Sequence, residues 1–174
     1  MPFQNVVAVQ PAIGIPGDFA SVNPRQFVVS GTANQRMVAQ AVTGALAGGF
    51  GYLNTDGTVT SITTYANASD NPSRIGFIHR YMGSGLIVNW LAESSMFIQP
   101  GQPVELFATG DFFAKADAIT GTPTRGAAVI WDPAAGTINI GATAGASTVD
   151  TGFILLSEGP IVAGQTVMIG KNGA

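Results

Sequence analysis

"FGYLNTDGTVTSI", residues 50–62, reads as a β-hairpin: an aromatic-bearing run, turn formers at Asn54 and Asp56-Gly57, then Gly57-Thr58 leading into an alternating strand. The same order recurs in "VIWDPAAGTINI", residues 129–140, where Asp132-Pro133 forms the turn and Gly136-Thr137 stands where Gly57-Thr58 stood. Working outward, "GFIHR" (76–80) matches "GFILL" (152–156), and "IQPGQPVELFATG" (98–110) matches "IVAGQTVMIG" (161–170), in the same sequence order. Hairpins of any glycine-rich β chain look alike, so the test is superposition: Gly57 over Gly136, Gly76 over Gly152 and Gly101 over Gly164. The expectation is two related β-meanders facing each other as sheets of a sandwich, the first carrying an extra stretch near 81–96.

Further β-type runs, "RQFVVSG" (25–31), "GTVTSITTY" (57–65), "RIGFIHR" (74–80), "VELFATG" (104–110), "GAAVIWD" (126–132), "GFILLSEG" (152–159) and "QTVMIG" (165–170), are bounded by Gly, Pro and Asn. Their spacing suits a sandwich or barrel. The one helical segment expected is a turn or two within 86–93, where Leu86/Trp90 and Ile87/Leu91 stand four apart. The fold class expected is therefore all-β with at most one short helix: an irregular arm over residues 1–24 and a single β-sandwich domain over 25–174.

Composition narrows the partners. Of 174 residues 46% are hydrophobic and only 10% charged, well under half the usual quarter. Disordered chains are charge-rich and apolar-poor, so this one folds. Seven basic and ten acidic side chains cannot dominate the surface of a folded 17.8 kDa chain, which points to burial of part of that surface against other chains. Two lysines and five arginines lie scattered under a net charge of −3, leaving no basic stripe for nucleic acid. No apolar run approaches the ~20 residues of a membrane helix. "MPFQNVVAVQ" lacks a basic region ahead of a long apolar run, so synthesis in a cytoplasm is expected.

Catalytic patterns are tested and fail. Without cysteine there is neither thiolate chemistry nor a sulfur-ligated zinc site. His79 is the single histidine and follows Phe77 and Ile78 in a strand-like run, which suits a structural or interface role. Ser84 in "MGSGL" lacks both outer glycines of a nucleophile elbow, and "IGKNG" has no phosphate-loop pattern before it. The acids fall mostly in turns, where two of them brought close by the fold would make a glycosidase pair, the less favoured reading, and Asn67-Ala68-Ser69 fits a glycosylation acceptor that has no meaning without secretion. No catalytic, cofactor or metal site is expected.

The arm itself is shaped. In "PAIGIPGDFASVNPR", residues 11–25, Pro16-Gly17 suits a tight turn, Asp18 can cap the amides after it, and Asn23-Pro24 forces an extended step. Asp18 and Arg25 are the only ions in the first 35 residues. The turns between them are expected to let the Arg25 fork meet the Asp18 carboxylate, with Phe19 as apolar anchor. Asp18, Phe19, Asn23, Arg25, His79 and Arg80 are the expected partner-contact residues.

This arm resembles the N-terminal signature of the phage structural cement proteins, small head-decoration proteins of tailed bacteriophages. "GFIHR" (76–80), "LAESSMFIQPGQPVELFATGDFFAK" (91–115) and "TGFILLSEGPIVAGQTVMIGK" (151–171) are similar to later blocks of that family, in the same order. The resemblance implies a non-enzymatic β-sandwich of jelly-roll type, made in the host bacterial cytoplasm and carried on the outer capsid surface of the virion. There it would clamp neighbouring major capsid protein subunits as a homo-oligomer, a trimer being favoured over a dimer. The alternative is a carbohydrate-binding module of a phage fibre, in which Trp90, Trp131 and Tyr65 would stack on sugar rings, although core packing is the commoner fate of such side chains.

Overall fold

The structure, a computed structural model, describes residues 14–30, 37–80 and 96–172. In chain order its elements are β1 (Gln26–Phe27), β2 (Val38–Ala39), β3 (Ala45–Leu46), β4 (Phe50–Leu53), β5 (Thr58–Thr60), α1 (Tyr65–Asp70) and a 3-10 turn (Pro72–Arg74). Then follow β6 (Ile75–Ile78), β7 (Phe97–Ile98), β8 (Leu106–Lys115), β9 (Ala118–Ile119), β10 (Ala128–Asp132), β11 (Thr137–Ile140), β12 (Val149–Leu155) and β13 (Thr166–Lys171). The protein is thus mostly β with one short α-helix among the described residues.

The main sheet runs β2-β5-β4-β6-β8-β13-β12-β10-β11-β9, with β1 attached to β8, while β3 and β7 form a separate pair. The order is a palindrome. Each half has a hairpin, β4–β5 or β10–β11, one outer strand lying parallel to its second arm, β2 or β9, and an antiparallel pair leading inward, β6–β8 or β12–β13. The outermost strands β2 and β9 are not paired to each other among the described residues.

The two halves share matching backbone hydrogen bonds. The Ala39 amide donates to Gln102 O at 2.9 Å and the Ala116 amide to Gln165 O at 2.9 Å; Gly101 N reaches Ala39 O at 2.9 Å and Gly164 N reaches Ala116 O at 2.6 Å. Gln40 N to Val59 O at 2.9 Å is mirrored by Asp117 N to Ile138 O at 3.0 Å. Gly57 and Gly136 occupy equivalent hairpin turns at φ 85° and 70°, and Gly101 and Gly164 equivalent turns at 78° and 85°, conformations that side chains with a Cβ avoid.

The third expected pair is displaced by one residue. His79 N donates to Glu105 O as Leu156 N donates to Met168 O, and Phe77 faces Phe107 as Ile154 faces Gly170, so Gly76 corresponds to Phe153 and not to Gly152. The cause is local: β12 has an irregularity against β10 between Ala128 and Ile130, and Gly152 at φ 71° lies in the stretch that absorbs the extra residues.

Strand β8 joins the halves. Its start pairs with β6 and its remainder, Gly110 to Lys115, pairs with β13. Aromatic rings from both halves then share one core: Phe77 stacks on Phe112 at 4.6 Å, Phe50 meets Phe153 edge-on at 5.2 Å, and Trp131 is wholly buried beside Phe50. A smaller cluster of Val28, Ala39, Leu53, Val59, Ile78 and Leu106 lies within the first half.

Several expected boundaries move. The run 57–65 ends as a strand at Thr60, because Thr63 N bonds instead to Pro133 O at 2.8 Å and Thr64 caps α1 through its hydroxyl. The run 25–31 contracts to Gln26–Phe27, and 104–110 extends to Lys115 because Gly110, φ 129°, is taken up inside the strand and not in a turn. The helix expected within 86–93 lies outside the described residues.

A methyl group added at Gly101 or Gly164 would meet open space, so Gly101→Ala and Gly164→Ala isolate the cost of the left-handed backbone. Each is expected to cost about 1 kcal/mol, lowering the melting temperature by about 2–4 °C, and the two shifts should be equal. At Gly170 a methyl group would run into Asp111 Oδ1, and Gly170→Ala should cost more than either.

Candidate functional site

Residues 17–20 of the arm lie along the edge of β8 that β13 leaves free. Gly17 N donates to Phe113 O at 2.7 Å, Phe113 N to Asp18 O at 2.9 Å and Ala20 N to Asp111 O at 2.9 Å, and Arg80 N, just past β6, donates to Gly17 O at 3.0 Å. A Cβ at Gly17 would lie 2.7 Å from Arg80 Cβ, and its φ of 95° also favours glycine. The arm is therefore tied into the sheet over this stretch. Beyond it, the buried Asp111 carboxylate accepts from Ser21 Oγ at 2.6 Å and from Asn23 Nδ2, which turns the chain back toward β1.

This routing gathers the expected contact residues. The Phe19 ring lies between the His79 imidazole, stacked at 4.0 Å and 15°, and the Arg25 guanidinium, 3.8 Å from the ring centroid. His79 Nδ1 is 3.0 Å from Glu105 Oε2. Arg80 Nε donates to Asp18 Oδ1 at 3.2 Å. The expected Asp18–Arg25 fork is thus corrected. Asp18 pairs with Arg80, because Arg25 lies flat on Phe19 while the end of β6 carries Arg80 to the Asp18 side.

Sequence reasoning missed Glu105, Asp111, Phe27 and Phe107. Phe27 stacks on Phe107 at 4.4 Å, and both line a cleft of about 450 Å³ with Phe19, Val22, Arg25 and Glu105. Asp111 had one signal, an acid inside the apolar run "LFATGDFFAK", where a buried carboxylate needs donors. Two apolar side chains on the rim of the cleft stand open to solvent: Val22 is 97% and Phe27 53% exposed.

The electrostatics are modest. Asp18 and Arg80 are both partly exposed, so the pair contributes ~0–1 kcal/mol. Burial lowers the His79 pKa below its ordinary value; the Glu105 and Asp18 carboxylates pull it up and Arg25 pushes it down, but burial prevails. Among the described residues no three His, Cys, Asp or Glu side chains gather to hold a metal, and no helix is long and apolar enough to cross a membrane. Trp131 is buried and cannot stack on a sugar, Tyr65 is 37% exposed on α1, and Trp90 lies outside the described residues.

A family model described as XM1 gp53 minor capsid protein matches residues 3–171. No curated protein matches the chain. Among solved structures, a chain from "The capsid of Myoviridae Phage XM1" is similar with a TM-score of 0.57 and 16% identity, the match covering 99% of this chain and 98% of that one.

Because His79 is the only histidine, its ring protons report one titration in NMR. Its midpoint is expected below 6.5, lower still in Glu105→Gln and higher in Arg25→Ala. A depressed histidine pKa means that the unfolded chain binds the proton first. Stability should therefore be full above pH 6.5 and fall as the pH drops through the folded-state value, a loss that His79→Gln should reduce.

Proposed function

The chain belongs to the XM1 gp53 minor capsid protein family, a non-catalytic family of phage capsid-associated structural proteins, and from that premise we propose that it is a cement protein. In this reading it seats on the outer surface of an assembled bacteriophage head and clamps neighbouring major capsid subunits. The observation that carries the reading is the arm: a segment hydrogen-bonded onto β8 holds a stacked ionic and aromatic group beside a cleft whose rim exposes Val22 and Phe27. Exposed apolar side chains on a fixed loop are unfavourable in water and suit a surface that a partner covers.

The mechanism is binding linkage. A copy that spans a seam contributes free energy to the assembled lattice and none to its separated subunits, so occupancy stabilises the shell. Many such contacts, individually weak, act together over the head. Asp18, Phe19, Asn23, Arg25, His79 and Arg80 supply the contact, and a homo-oligomer, with three copies favoured over two, sets its geometry. Burial of Trp131 weighs against the sugar-binding alternative.

Cosedimentation with expanded empty capsids tests the reading. The protein should pellet with capsids and ignore a glycan array, and Arg25→Ala should weaken capsid binding at least tenfold while moving the melting temperature by no more than about 4 °C, since an exposed cation–π contact is worth only ~0.5–1 kcal/mol to the fold. Glycan binding without capsid binding would overturn it. Light scattering at micromolar concentration should give a multiple of 17.8 kDa.

A further inference from the structure

The internal repeat is unequal at its outer edges. Relative to β13, residues 111–113 of β8 hold the place that residues 27–29 hold relative to the start of β8: Asp111 faces Gly170 as Phe27 faces Phe107, and Gly170 corresponds to Phe107. On the outer edge of 111–113 lies the antiparallel arm segment 17–20. On the outer edge of 27–29 no strand is paired among the described residues. Val28 N donates inward to Leu106 O at 2.9 Å and its side chain is buried, which turns the backbone groups of Phe27 and Val29 outward; those residues are 53% and 85% exposed.

Exposed strand edges are normally blunted by charge or proline. Between Arg25 and Arg36 the chain has neither, and "QFVV" (26–29) is rich in strand-forming side chains. The mate edge is covered antiparallel, and antiparallel is the relation that a two-fold axis imposes between two copies of one strand. An axis through Val28 places Phe27 opposite Val29 of the second copy, and Val29 opposite its Phe27, as hydrogen-bonded pairs. Both pairs lie on one face, each an aromatic set against a β-branched side chain, with no charged residue facing its like.

We propose that the outer edge of residues 27–29 is a self-recognition edge, on which a second copy of this chain adds its own residues 27–29 antiparallel across a two-fold axis. The contact goes beyond the cement reading and does not build a three-fold ring: being two-fold, it links one oligomer to the next. An edge of three residues is far smaller than a stable interface requires, so the pairing is reversible and concentration-dependent in solution.

The chain has no cysteine, which makes cross-linking clean. In the double variant Phe27→Cys/Val29→Cys the proposed register brings each new thiol opposite a partner thiol at about 5.5 Å between Cα atoms, within disulfide reach. Mild oxidation should yield a covalent dimer at least tenfold faster than in either single variant. No dimer from the double variant, or equal rates in all three, would overturn the register. Hydrogen exchange of the unaltered protein gives an answer independent of folding in the variants: the Val29 amide should exchange several-fold more slowly at 1 mM than at 10 µM. An amide indifferent to protein concentration, or slowed only when expanded empty capsids are added, would refute self-pairing, the second result assigning the edge to the shell.

Discussion

Both edges of β8 are in use, and the rest of the molecule is arranged around that fact. One edge carries β1 and then β13; the other carries β6 and then the arm segment 17–20. Ten residues thus satisfy backbone groups from four separate pieces of chain, and Gly110, at φ 129°, lies where the strand passes from one half to the other. The side chains follow from the same placement. Phe107 and Phe112, on either side of Gly110, touch rings contributed by the arm, by β6 and by one another, so removing β8 would leave the aromatic core without its middle.

The repeat was legible in the sequence where backbone conformation dictates residue type. Gly57 and Gly136, and Gly101 and Gly164, stand in turns that require positive φ, and glycine at such positions is visible without a structure. It was misread where side chains repeat but the register does not: "GFI" occurs in both halves, yet the irregularity at Gly152 slides the second copy by one. The helix at Tyr65–Asp70 hid behind a run of threonines that suits a strand, and its capping by Thr64 became readable only once Thr63 was seen bonded to the other half.

The arm was legible as a segment held by specific contacts, but its network was not. Phe19 meets His79 and Arg25, Asp18 meets Arg80, and Asn23 is bonded to Asp111, because an arm dense in Pro, Gly and Asn has to be fixed by specific contacts. Their pairing was not legible. Asp18 and Arg25 are close in sequence, but Arg80 reaches Asp18 through β6, a long-range consequence of how residues 17–20 pair with β8. Asp111 likewise looks like one acid in an apolar run until Ser21 and Asn23 close on it.

A duplicated sheet gives two equivalent edges and one arm to cover them. The arm covers the edge of 111–113 and, in doing so, sets Phe19, Arg25 and His79 into their stack. Among the described residues, 27–29, with two exposed apolar side chains, have no such cover. The asymmetry follows from chain connectivity: residues 110–115 of β8 are supplied from within the repeat, whereas β1 must come from the N-terminal segment and is two residues long. The internal symmetry is broken at the arm and at β1, and the cleft beside Phe19 and the outer edge of β1 share Phe27 as a common wall. Phe27 packs on Phe107 at 4.4 Å, so both sides of that wall rest on the same strand, β8.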